Sequence, residues 1–105
     1  MHLDCERAMK LIIPAARMAL SNELSKRYDM TQSEIAKRLG VKQATVSNYL
    51  HGRHSRNLHA LGEMLVRDGK LSAMISSALA NKSVDARIDA LASDSHIVRQ
   101  ALALA

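Results

Sequence analysis

Apolar side chains recur along this chain at intervals of three and four. From about residue 3 to residue 28 they fall at Met9, Ile12, Ile13, Ala16, Leu20 and Leu24, the spacing of one helical face. Pro14 interrupts that face. A proline removes a backbone donor and its ring clashes with the carbonyl four residues earlier. The pattern therefore predicts a short helix to about Ile12 and a longer one starting near Pro14, where proline is tolerated in a first turn; one kinked helix is the alternative. A second block opens at Thr31. Thr31 and Glu34 have the spacing of a capping box, in which each side chain satisfies a free N–H at a helix start. Ile35, Ala36 and Leu39 give that helix its apolar face, and Gly40 ends it, where a left-handed conformation is cheap only for glycine. A short helix from about Gln43 to Leu50 follows, with Val46, Tyr49 and Leu50 inward and His51-Gly52 closing it.

The remainder, about 56–105, reads as several short helices. Leu58, Leu61, Met64 and Leu65 form one stripe, and Gly69 separates it from Leu71, Met74, Ile75, Ala78 and Leu79. Val84, Ile88 and Leu91 form another after Ser83. Ile97, Val98, Ala101 and Leu102 form the last after the Ser93-Asp94-Ser95 break. No stretch alternates as a strand over more than a few residues. Composition agrees, with no Phe or Trp, two Tyr, one Pro and four Gly in 105 residues. The expected fold is all-α, a single helical domain over 1–105. Residues 1–55 carry N-terminal helices and a central two-helix motif at 31–51, and residues 56–105 form a C-terminal helical extension.

Charge changes this picture more than composition does. The formal net charge is +5, and its position is informative. Residues 1–25 and 68–105 are each charge-balanced, whereas 26–67 hold eight bases against three acids. The bases are Lys26, Arg27, Lys37, Arg38, Lys42, Arg53, Arg56 and Arg67. A localised excess of this kind suits a polyanionic partner, although a basic stretch alone is as often a solvated face.

The central block meets the requirements of a helix-turn-helix. Ala36 is the small residue that lets the second helix cross the first. Gly40 permits the sharp turn, and Val41, Val46 and Leu50 lock the second helix. Its outer face carries short hydrogen-bonding side chains, Gln43, Thr45, Ser47 and Asn48, able to reach base edges. Gln43, Ser47 and His51 lie four apart, hence on one face. The run "TQSEIAKRLGVKQATVSNYLHGR" resembles the lambda-repressor-like (Cro and XRE-type) helix-turn-helix of bacterial, phage and archaeal regulators. The preceding run, with Cys5-Glu6 and a mid-helix Pro14, resembles the N-terminal domain of a group of archaeal predicted regulators. The resemblance implies double-stranded DNA as partner. It implies that Gln43, Ala44, Thr45, Ser47 and Asn48 enter the major groove. There Gln43 or Asn48 can pair with adenine, and Ala44 or the Thr45 methyl can meet a thymine methyl. Thr31, Gln32, Lys37, Lys42, His51, Arg53 and Arg56 would contact phosphate. Lys42 departs from the pattern, because Ser or Thr usually caps this helix.

The other candidates carry less. Cys5 stands alone, so there is no disulfide framework, and a helical cysteine is usually packing. His51, His54 and His59 with Glu63 could attract a transition metal, but contact with phosphate or solvent is the plainer reading, and no metal or cofactor is expected. The six methionines read as core fillers. Asp85, Asp89 and Asp94 read as solvent-facing helix charges. No phosphate loop, nucleophile elbow or carboxylate pair supports an enzyme, so no catalytic residue is expected. No apolar run reaches membrane-spanning length, and Asp4 and Glu6 do not suit a secretory leader. The expected location is cytoplasmic, with the nucleoid. No effector pocket is legible. The leading expectation is a sequence-specific transcription regulator, a homodimer held by its C-terminal helices. An antitoxin-like or adaptor interaction module and a non-specific nucleic-acid binder are the alternatives.

Overall fold

The computed structural model describes the backbone of residues 2–105 and side chains from Asp4 onward. Among the described residues there are seven α-helices, one 3-10 turn and no strand, as the all-α expectation required. In chain order these are α1 (His2–Tyr28), α2 (Gln32–Leu39), α3 (Gln43–Leu50), α4 (Arg56–Arg67), α5 (Ser72–Leu79), α6 (Asp85–Asp89) with the turn Ala90–Ser93, and α7 (Ser95–Leu104).

Helix α1 is the axis of the fold, packing against α4 and α7 and more lightly against α2, α3, α5 and α6. It also corrects the first expectation, because Pro14 lies inside one continuous helix and not at a boundary. The reason is packing. A mid-helix proline costs about 3 kcal/mol. Ile12, Ala15, Ala16, Met18, Leu20 and Leu24 are all buried around it, and burying a large aliphatic side chain contributes about 1.5–3 kcal/mol each. A helix broken at Ile12 would turn part of that face away from the core, so the local penalty loses.

Gly62, which the stripe pattern passes over, faces α1 at the α1–α4 contact. It sits inside α4, 3.4 Å from the Ala15 carbonyl and 3.6 Å from the Ala19 methyl as measured from where a β-carbon would stand, and that carbon would collide with the Met18 methyl. A glycine in mid-helix costs about 1 kcal/mol against alanine; here it leaves the space that the end of the Met18 side chain fills.

The C-terminal breaks fall where the sequence marks them. Gly69 is left-handed at φ 69° between α4 and α5, and the Ser93-Asp94-Ser95 break precedes α7. Asp94 accepts from the Ile97 N–H at 3.2 Å, capping α7. The apolar stripes of this half turn inward. Met74, Val84, Ile88, Leu91, Ile97 and Ala101 are buried in the same cluster as the α1 residues. Leu79, from the same stripes, stays exposed, and Ile75, Val98 and Leu102 are only partly buried. Polar ties reinforce the closure. Arg38 of α2 donates to the Ala78 carbonyl, Asn57 of α4 donates to the Leu104 carbonyl at 2.6 Å, and Lys70 pairs with Asp94 at 2.8 Å. Two acids read as merely solvent-facing therefore have partners: Asp94, and Asp85 at 3.8 Å from Arg17.

Candidate nucleic-acid interface

The motif begins with the capping box its sequence spells. The Glu34 N–H donates to Thr31 Oγ1 at 3.2 Å, and the Thr31 N–H donates to Glu34 Oε1 at 3.3 Å. The Thr31 hydroxyl also donates to Glu34 Oε1, at 3.0 Å. Both donors of Thr31 are thus spent inside the protein. The free donors of this helix start are the N–H groups of Gln32 and Ser33, in its first turn. Ser33 was passed over because its side chain carries no signal; only its backbone position matters. Helix α2 is short, and Ile35, Ala36 and Leu39 are its buried face.

Gly40 ends α2 at φ 68°, ψ 34°, with the Val41 N–H returning to the Ala36 carbonyl at 3.1 Å. A β-carbon would find open space there, so the demand on this glycine is conformational. The turn leads into α3 through Lys42, which is extended and makes no side-chain cap. The first N–H groups of α3 therefore have no side-chain acceptor and point, with the helix dipole, toward whatever approaches that end.

Helix α3 is anchored by few contacts. Val46 is fully buried, while Tyr49 and Leu50 are half-buried, so two of the three residues expected inward keep an exposed edge. Burial raises the Tyr49 phenol above its usual range, against a smaller opposing effect of Arg17, so it stays a neutral donor at physiological pH. The other face is open. Gln43, Ala44 and Asn48 are exposed, and Thr45 and Ser47 partly so. The five side chains expected at base edges are thus presented by one solvent-facing helix.

His51 ends α3. Its Nδ1 lies 2.8 Å from the Ser47 carbonyl and 3.4 Å from Ser47 Oγ. With Nδ1–H donating to that carbonyl, Nε2 is the nitrogen left to meet a phosphate. The Arg53 N–H then returns to the Asn48 carbonyl at 2.8 Å, and Ser55 caps α4 by accepting from the Leu58 N–H at 3.1 Å.

The structure divides the eight central bases. Arg27 pairs with Glu23 at 2.9 Å, and Arg38 is held at the C-terminal end of α5. Lys26, Lys37, Lys42, Arg53, Arg56 and Arg67 have no acidic partner among the described residues. All four long cations expected at phosphate, Lys37, Lys42, Arg53 and Arg56, are exposed and in that set. One further cation joins them from outside the central block. Lys82, with Asn81 and Ser83, shares a shallow groove of about 210 Å³ with Lys37, Arg38 and Gly40. No local signal marks it, since its block is charge-balanced and only folding brings it to the turn.

Cys5 is partly buried and unpaired. Among the described residues no group of three or more His, Cys, Asp or Glu is placed to hold a metal ion. Among the described residues no helix is long and apolar enough to cross a membrane.

Comparison with known proteins gives one family. Its model, described as the ParB HTH domain, matches residues 16–103. No curated protein and no solved structure gives a significant match. The matched region takes in the helix-turn-helix, the C-terminal half of α1 and nearly all of the C-terminal helices. It therefore supports a helix-turn-helix DNA-binding domain, and not the specific Cro and XRE family that the central run resembles. Cys5-Glu6 and Pro14 lie outside it. Since the match spans most of its length, the chain belongs to the ParB HTH domain family.

Proposed function

We propose that this protein is a sequence-specific DNA-binding regulator of transcription that reads the major groove with α3. The observation that carries this reading is the pairing of two features on one motif. Gln43, Ala44 and Asn48 are exposed on one helix with Thr45 and Ser47 partly so, and the surrounding Lys37, Lys42, Arg53 and Arg56 have no acidic partner among the described residues. The first set has the donors, acceptors and methyl groups that distinguish base pairs. The second supplies affinity by releasing counterions, without choosing sequence. Gln32 and His51 Nε2 are additional phosphate contacts in this docking, together with the free N–H groups at the start of α2.

One α3 reads only a few base pairs, so the proposed working unit is a homodimer on half-sites about 34 Å apart. Most residues of the C-terminal stripes are taken up in the chain's own core, but Leu79 is exposed and Ile75, Val98 and Leu102 are only partly buried. Those apolar edges are where the C-terminal helices of two copies would meet in this reading.

Anisotropy with a pool of duplex fragments at several salt concentrations tests the reading. A preferred site bound at least about a thousandfold tighter than bulk DNA is expected. Equal affinity for all duplexes would mean non-specific binding. No binding at physiological salt would mean that the motif packs against a protein. Sedimentation of the free and DNA-bound protein measures the stoichiometry.

A further inference from the structure

His54, at the end of the α3–α4 loop, lines a groove of about 340 Å³ between that loop, α1 and α4. Its Nε2 lies 3.3 Å from His59 Nδ1, and His59 Nε2 lies 2.6 Å from Glu63 Oε1. The two rings are nearly parallel, 18° apart, with centroids separated by 5.5 Å. Three groups thus form one hydrogen-bonded row, and their proton positions follow from it. The Glu63 carboxylate accepts, so His59 carries its proton on Nε2. That leaves His59 Nδ1 as a lone pair, which accepts from His54 Nε2–H. His54 Nδ1 is then the bare nitrogen, and it is buried with no partner. A neutral imidazole tolerates that position better than a charged one.

An added proton has no good place in this row. On His54 Nδ1 it makes a buried N–H without an acceptor. On His59 Nδ1 it sets two N–H groups against each other, or drives the His54 proton to Nδ1, where it again has no acceptor. The other titratable groups lining the groove are Glu23 and Lys26 from α1 and Tyr49 from α3, with Glu63 from α4. Glu23 is engaged by Arg27, Lys26 opposes a further cation, and Glu63 is taken up by His59 Nε2. Burial, and then the neighbouring His59, hold His54 below the usual imidazole value of 6.5. The sign follows: a depressed imidazole stabilises the held, neutral conformer above about that pH, and the contribution is lost as pH falls through the depressed value. The residue before His54 is Arg53, and Arg56 opens the next helix, so a freed imidazolium would enter the cationic loop beside α3.

We propose that His54 is a proton-released phosphate contact, held against His59 when neutral and freed by protonation to pair with nucleic-acid phosphate beside Arg53, so that acid tightens DNA binding. This rests on the DNA-binding reading above. The test is the salt dependence of the affinity for one duplex at about pH 8 and about pH 5.5, for the intact chain and His54→Gln. The intact chain should show a steeper salt slope in acid. His54→Gln should lose about 0.9 of that acid slope, close to fivefold in affinity at about 0.15 M salt, and match the intact chain at about pH 8. His59→Ala removes the acceptor that holds His54, so the steepening should survive and its midpoint should move up toward the ordinary imidazole value. Equal acid slopes for the intact chain and His54→Gln would overturn the proposal, as would a loss of the same size at both pH values. Failure of the intact chain to bind DNA at either pH would overturn the functional reading and this inference with it.

Discussion

Lys42→Ser changes one atom group with two jobs, and the two effects have opposite sign. Lys42 holds the N-cap position of α3 in an extended conformation, φ −73° and ψ 147°, without a side-chain hydrogen bond. A serine there needs no backbone change to accept from the N–H of Ala44 or Thr45. A good N-cap is worth about 1 kcal/mol over a non-capping residue. For a chain of this length that raises Tm by about 4 °C. The same substitution removes a cation with no acidic partner at the end of the recognition helix. The loss of one phosphate contact should flatten the salt dependence of log K by about 0.9 and weaken binding about fivefold at about 0.15 M salt, for every sequence alike. Thermal unfolding by circular dichroism and anisotropy against a preferred and a scrambled duplex give both quantities. A lower Tm would refute the cap geometry. An unchanged salt slope would refute the placement of Lys42 at phosphate. A change in the ratio between the two duplexes would show that Lys42 reads bases.

Other expectations are as direct. Gln43→Ala should reduce discrimination at one base pair by about 1–3 kcal/mol while leaving the salt slope alone; competition with duplexes varied at each position measures it, and unaltered base preference would refute the proposed docking. Gly62→Val should overpack the α1–α4 contact at Met18 and cost about 1–3 kcal/mol, read as a lower urea midpoint; a midpoint equal to the parent's would mean that the two helices part freely. The Lys70–Asp94 pair predicts a stability profile with two shoulders. The hydrogen bond from Lys70, then that from the Ile97 N–H, lowers Asp94 below its ordinary 3.8, so its contribution holds above that value and fades as pH falls through the depressed one. The Asp94 hydrogen bond raises Lys70 above 10.5, so its contribution holds below that value and fades as pH climbs past the raised one. Asp94→Asn should shrink both shoulders, and a profile identical to the parent's would show that the pair contributes nothing in solution.

What the sequence determined by itself was whatever a few neighbouring residues decide. The Thr31–Glu34 box, the left-handed turn at Gly40, the uncapped Lys42 and the breaks at Gly69 and before Ser95 are closed by hydrogen bonds or dihedral preferences within about four residues. All are legible in the order of side chains. The exposed face of α3 was legible for the same reason, because helical spacing fixes which residues oppose Val46. Tertiary structure decided the rest, because those outcomes depend on free energy pooled from distant residues. Pro14 stays helical since the core around α1 outweighs a local clash. Most of the C-terminal stripe residues close on the core within one chain, whereas Leu79 keeps an exposed edge, a division that spacing alone does not show. Arg38 spends its guanidinium on the Ala78 carbonyl of α5, and Lys82 reaches the same groove, with Asp85, from a charge-balanced block. His54, His59 and Glu63 are near in sequence, but only the loop's path against α4 sets them in one row and leaves a buried nitrogen unpaired. Local patterning marked the second helix of the helix-turn-helix; packing selected which charges stand beside it.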